Sequence, residues 1–263
     1  MPPRPTRGFT DHLADETVAF LVRCLPRPPA SVLEVGCGRG EVAHRLGRLG
    51  YAVDAIDTDP NAVAAARRRG VPARRADFWT VRGGPYDACI FVFALHHLAP
   101  LPAAVERVRW LLRAGGRLLV DDYAWEAADA PTVAWFYDLL RVLESTGVTT
   151  ESRRLPGPWE SPLAFWRDRH RRPEREQTGR AIVRAVRSRL VGTRVERGPY
   201  LYRNLGRYVR GAGQTEATRC LYEIERRRVE DGSLRALGLR LTARRPAERG
   251  ARRARPAHPR SAV

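Results

Sequence analysis

The chain has 263 residues, 43% of them apolar, and its 47 basic against 29 acidic residues give a formal charge of +18. Every basic residue is Arg and none is Lys. A surface shaped for phosphate contacts draws on both, so the charge reads as a compositional bias and establishes no nucleic-acid partner.

A chain of this size buries roughly 70–75% of its unfolded surface and folds without disulfide staples. Cys24, Cys37, Cys89 and Cys220 are widely spread, with no CxxC pair and no Cys/His grouping. Neither a disulfide framework nor a metal site is expected. The N-terminus has no apolar core of a signal peptide, and no run of about 18 apolar residues occurs anywhere, so the expected compartment is the cytoplasm. The charge is uneven: residues 1–150 carry net +1 and residues 151–263 carry net +17.

In chain order, residues 1–30 read as an N-terminal helical segment. Ser31 to Val35 form a short apolar strand that stops at Gly36-Cys37-Gly38-Arg39-Gly40, and Val42, Ala43, Leu46 and Leu49 follow at helical spacing. Tyr51 to Ile56 make a second strand, closed by Asp57-Thr58-Asp59, with Pro60 at the first helical position and Gly70 past the helix end. A weaker third strand lies near Ala73 to Ala76 before Asp77, and Asp87 to Phe93 form a continuous apolar fourth. Leu101 to Leu112 make an amphipathic helix, and Arg117 to Val120 a fifth strand. Such alternation implies a parallel sheet with helices on both faces. Beyond Asp122 it ceases. Four of the six Trp fall between Asp122 and Leu190, in a segment read as a helical cap with Pro-rich breaks. Gly192 to Glu196 and Leu234 to Ala243 read as two late strands, separated by a Thr215 to Glu230 helix and pairing like a hairpin. From Arg244 the tail has almost nothing to bury and is expected to be disordered.

Glycines at 36, 38 and 40 let a ligand approach the backbone at a helix N-terminus. The dinucleotide fingerprint needs a further glycine where Glu41 stands, which weakens a dehydrogenase reading. Glu34 beside the loop repels a pyrophosphate and attracts an ammonium. Asp57, 21 residues after Gly36, is placed to accept from ribose hydroxyls. Asp77 with Phe78 is suited to an adenine. Singly, an Asp at a strand end is more often a turn or N-cap residue. Their order at the carboxyl ends of successive strands, where open α/β sheets bind ligands, gives them weight together.

VLEVGCGRGEVAHRL, AIDTDPNAVAAAR, RADFW, YDACIFVFALHHL and RVRWLLRAGGRLLVDDY resemble the successive motifs of class I S-adenosylmethionine-dependent methyltransferases, in the small-molecule and quinone-type branch. The resemblance covers residues 31–123, and implies a Rossmann-like, doubly wound, seven-stranded, mostly parallel sheet with an antiparallel last strand. It implies the cofactor S-adenosyl-L-methionine, held by Glu34, Gly36, Gly38 and Gly40 at the methionine, Asp57 and Thr58 at the ribose, and Asp77 and Phe78 at the adenine. The backbone at Phe91 would flank the sulfonium end.

The expected layout is a cofactor core at 31–123, a cap at 124–190, a sheet-completing unit at 191–243 and a basic tail at 244–263. His96, His97 and Asp122 are the candidate catalytic residues, with Tyr123 and His170 as further titratable groups; of the adjacent histidines, at most one is expected to face the pocket. The expected partner is a small organic acceptor. Alternatives are an RNA methyltransferase using the basic half, or a non-catalytic cofactor-binding partner protein. The residues leave the oligomeric state open.

Overall fold

The computed structural model describes residues 9–148, 155–170, 177–211 and 213–247, with side chains from residue 13 onward. Helix α1 (Phe9–Cys24) precedes five strands and three helices: β1 (Ser31–Val35), α2 (Glu41–Arg48), β2 (Ala52–Asp57), α3 (Pro60–Arg68), β3 (Arg74–Arg75), β4 (Tyr86–Val92), α4 (Leu101–Leu111) and β5 (Leu112–Tyr123). Then come α5 (Ala130–Ser145), α6 (Pro162–His170), α7 (Gly179–Arg187), β6 (Val191–Gly198), α8 (Leu201–Tyr208), α9 (Gln214–Glu230) and β7 (Gly238–Arg244).

The seven strands form one sheet in the order β3-β2-β1-β4-β5-β7-β6. β1 to β5 pair in parallel, and β7 runs antiparallel to both β5 and β6. The predicted fold class therefore stands, with the reversed strand inside the sheet and β6 at its edge. A period of two assigns side chains to faces. Cys89 and Phe91 of β4, with Leu118 and Val120 of β5, pack under α4 and α7. Ala88, Ile90 and Leu119 face α1 and α2 instead. Both faces are thus covered, as parallel sheets require.

Several boundaries differ from the sequence reading. The late strand starts at Gly238 rather than Leu234, because Leu234 and Leu237 are buried without ladder partners. Arg244 belongs to β7, and the backbone N–H of Arg245 donates to Gly116 O at 2.8 Å, so these two residues belong to the sheet rather than the tail. Residues 248–263 lie outside the described residues, as do 171–176 of the Arg run. The cap is also drawn differently. Ile182, Ala185 and Val186 of α7 pack on the sheet core with α4, so α7 is a sheet helix. The second core instead joins α5 and α6 to α8 and the start of α9, through Phe136, Tyr137, Phe165, Trp166, Leu201, Tyr202 and Leu221. Two chain segments build it.

Candidate active site

The carboxyl ends of β1, β2 and β4 open on a cavity of about 250 Å³, lined by Gly36, Asp57, Thr58, Asp77, Phe78 and His97 among the predicted residues. Phe93 and Ala94 line it too. None of its lining residues is Arg, in a chain with 47 of them. Two carboxylates and an apolar wall suit hydroxyls and an uncharged base; nothing there answers a phosphate.

Each piece follows from local chemistry. Gly36, Gly38 and Gly40 adopt φ of +71°, +53° and +80°, the left-handed region that costs other residues roughly 1–2 kcal/mol. A Cβ on Gly36 would stand 2.7 Å from Ala94 Cβ, whereas one on Gly38 meets nothing within 4 Å. Gly36 is therefore small to let β1 and β4 ends meet, and Gly38 leaves open space. Asp57 Oδ2 accepts from the Gly38 N–H at 2.8 Å and Oδ1 from the Asp59 N–H at 2.9 Å, which fixes the carboxylate at the cavity floor. Asp77 accepts from Trp79 N–H at 2.9 Å, capping a short 3-10 turn. Both thus play the turn role and line the cavity as well.

Glu34 lies behind the glycine loop, only 2% exposed, and its Oε2 has no hydrogen-bond partner. Burial first, then the negative field of Glu41 and Asp57, pushes its carboxyl up to about 8, against the opposing pull of the Ala43 N–H. An isolated buried carboxyl next to a cradle with no Cβ is a receptor for a cation. S-adenosylmethionine carries an ammonium, two ribose hydroxyls and an adenine. The residues present fit it, with Glu34 and the loop toward the amino acid end, Asp57 toward the ribose, and Asp77 and Phe78 toward the base.

Phe91 has only its backbone to offer a ligand, as the resemblance implies. Its side chain is fully buried against Phe78 in the sheet core. The wall residue is Phe93, with φ of +51°. A strained non-glycine backbone of this kind marks a position held by its surroundings. The Phe93 N–H donates to Asp121 O at 2.8 Å. Its ring lies 5.7 Å from that of Tyr200 and 5.0 Å from the Arg203 guanidinium.

The two histidines diverge. His97 lines the cavity and His96 is buried. His96 Nδ1 lies 2.7 Å from Asp122 Oδ1, and Asp122 also accepts from the Tyr123 N–H at 2.9 Å. The imidazoles are 3.9 Å apart, and His96 meets Tyr123 edge-on at 5.1 Å. Tyr123 in turn stacks flat on Tyr200 at 4.5 Å, while His170 stacks on Trp125 and Trp166. Glu225, within the expected Thr215 to Glu230 helix, is fully buried. It accepts from the N–H groups of Tyr200, Leu201 and Tyr202 at 2.7–2.9 Å, capping α8 and fixing Tyr200. The stripe of Thr218, Leu221 and Glu225, spaced three and four residues apart, was the available signal.

Replacing Gly36 with Ala is expected to abolish ligand binding and to lower stability by about 1–3 kcal/mol. Gly38→Ala should cost only the backbone strain of about 1–2 kcal/mol. Thermal melts with and without ligand measure both.

A model described as a methyltransferase domain matches residues 8–181. The ubiquinone biosynthesis O-methyltransferase of Xylella fastidiosa (strain 9a5c) is 32% identical over 110 residues, 38% of this chain and 45% of that relative. The match thus spans less than half of that relative's length. Among solved structures, phosphoethanolamine N-methyltransferase 2 of Haemonchus contortus superposes with a TM-score of 0.56 at 13% identity, over 88% of this chain and 52% of that one. Geranyl diphosphate C-methyltransferase from Streptomyces coelicolor A3(2) gives 0.54 at 15%, over 92% and 82%. These two share the fold. With more than half of its length matched by that family model, the chain belongs to the methyltransferase domain family.

Proposed function

We propose that the protein transfers a methyl group from S-adenosylmethionine to a small organic acceptor by in-line displacement. The observation that carries this reading is an Arg-free cavity holding Asp57 and Asp77, backed by the buried Glu34 carboxyl, whose Oε2 has no hydrogen-bond partner. When bound, S-adenosylmethionine would supply an electrophilic methyl carbon, open to attack by the acceptor's lone pair, with the thioether leaving with the electron pair of the broken S–C bond.

The chain's own work is positioning, in a pocket from which the aromatic cap excludes water. Holding two reactants in line supplies about 7–11 kcal/mol. Asp122 holds Nδ1 of His96 as the protonated nitrogen, which leaves Nε2 with its lone pair; Nε2 bonds to no described residue. That is the state of a general base taking a proton from a weakly acidic acceptor. His97 and Phe93 form the cavity wall beside it, with Tyr200 packed on Phe93 and Tyr123 stacked on Tyr200.

A small acceptor is favoured over RNA because the basic excess lies outside the cavity. No helix among the described residues is long and apolar enough to cross a membrane, which is in keeping with work in the cytoplasm. The test is incubation with methyl-labelled cofactor and fractionated cell extract. Label in the small-molecule fraction is the expected result, with a product 14 mass units heavier as one CH₂ is gained about per transfer. Label confined to RNA would favour the RNA reading, and no transfer to any fraction would favour a non-catalytic partner protein.

A further inference from the structure

The sheet ends in a second concavity, unrelated to the cavity above. Helix α7 and the edge strand β6 enclose a groove of about 640 Å³, lined by Arg180, Arg184, Arg187 and Arg197 over an apolar floor of Val183 and Val195. No acidic residue lines it.

Arg is abundant in this chain, so the informative comparison is with another Arg-rich helix. On α9, Arg219 bonds Glu216 at 2.7 Å, and Arg226 bonds Glu223 at 2.9 Å and Glu230 at 2.6 Å. Its charge is laced three and four residues apart, as a solvated face requires. On α7 that lacing is missing. Arg184, Arg187 and Arg197 have no carboxylate within ion-pair distance among the described residues. Arg180 reaches Glu126 only at 3.9 Å, and Glu126 is occupied with the N–H groups of Gly179 and Arg180 at 3.1 and 2.8 Å. Arg197 projects exposed from the edge strand, with burial of part of its side chain lowering its pKa and the field of Glu126 opposing that shift. Guanidiniums that face one groove without a carboxylate bonded to them form a receptor for an anion.

Arg180, Arg184 and Arg187 stand at i, i+4 and i+7, so their Cα positions span about 10 Å along the helix. Arg197 faces them from the strand. One carboxylate or one phosphate is too short to engage this row.

We propose that the α7–β6 groove binds a ligand bearing two or more linked phosphates, with Arg184 and Arg197 as its principal contacts. A free pyrophosphate group and the backbone of single-stranded RNA share this chemistry. The full-length protein is titrated by calorimetry with inorganic pyrophosphate and, separately, with a single-stranded RNA decamer. Arg184→Ala, Arg197→Ala and Arg219→Ala are compared, the last removing an equal charge from a laced helix.

Saturable binding with Kd below about 1 mM, weakened tenfold or more by R184A and by R197A but not by R219A, is the expected result. If pyrophosphate saturates the groove, the ligand is a small diphosphate; if only the decamer does, it is an RNA backbone, with affinity falling steeply with salt. Absence of saturation by both probes overturns the proposal. So does equal weakening by all three variants, which reports total charge alone. All three substitutions are at exposed positions, and unchanged melting temperatures confirm that the fold is retained.

Discussion

His96→Ala is expected to lower kcat by about 10²–10⁴-fold, the range for removal of a general base, while leaving cofactor affinity unchanged. Asp122→Asn keeps the shape of the side chain but offers an amide to Nδ1, so the imidazole loses its imposed tautomer and kcat falls by a comparable factor. Because the two residues act as one unit, the double variant should be no slower than the worse single one. A merely structural His96–Asp122 pair would lower the melting temperature and leave the pH profile of kcat/KM unmoved. The base reading requires the acidic limb of that profile to disappear in H96A, which has no imidazole at this position. His97→Ala, by contrast, alters the cavity wall and should raise KM for the cofactor more than it lowers kcat. An unchanged kcat in folded H96A rejects the base role.

The second large effect concerns Glu34. Its carboxyl is raised from 4.5 to about 8, so the folded protein holds a proton there that the unfolded chain releases at neutral pH. Stability from this group is present below about pH 4.5 and is lost as pH rises toward 8. Glu34→Gln removes that loss. The variant should be more stable than the parent at pH 8, by an amount on the order of 3 kcal/mol, and close to it at pH 4.5. Urea unfolding at the two pH values measures this. The gain is coupled to a functional cost, since an amide cannot neutralise an ammonium and cofactor affinity should fall about tenfold or more. In the parent below pH 8, cofactor binding should release a proton, visible as a dependence of the calorimetric enthalpy on the buffer. Burial first, then the negative field of Glu34, Asp57 and Glu41, also pushes the Cys37 thiol up to about 12. A variant less stable than the parent at pH 8 would show that Glu34 is held by partners rather than isolated.

What the sequence revealed was set by period and by punctuation. β1 and β4 are largely apolar runs because helices cover both faces, and Gly36 and Asp57 mark the carboxyl ends of β1 and β2; both features survive in one dimension. The cavity residues Gly36, Asp57, Asp77 and Phe78 were legible for that reason. Phe93 was not. Its place in the wall depends on a left-handed backbone turn that only tertiary packing enforces, and Phe91, two residues earlier, points into the core. The divergence of His96 and His97 follows from the same turn and was foreseen only as a choice between them. α8 went unread because LYRNLGRY has Gly and Asn inside it, and its N-terminus is held by Glu225 from another helix. The cap boundary was misplaced because α7, GRAIVRAVR, resembles the polar Arg-rich segments around it until the burial of Ile182 and Val186 is known.

The central claim is that Asp57, at the end of β2, holds the cofactor in an Arg-free cavity. Calorimetric titration of the purified protein with S-adenosylmethionine tests it most directly. Saturable binding is predicted, and Asp57→Ala should weaken it by about 10–100-fold, the loss of charge-assisted hydrogen bonds worth about 1.5–3 kcal/mol. Absence of binding, or binding that Asp57→Ala leaves undiminished, would contradict it.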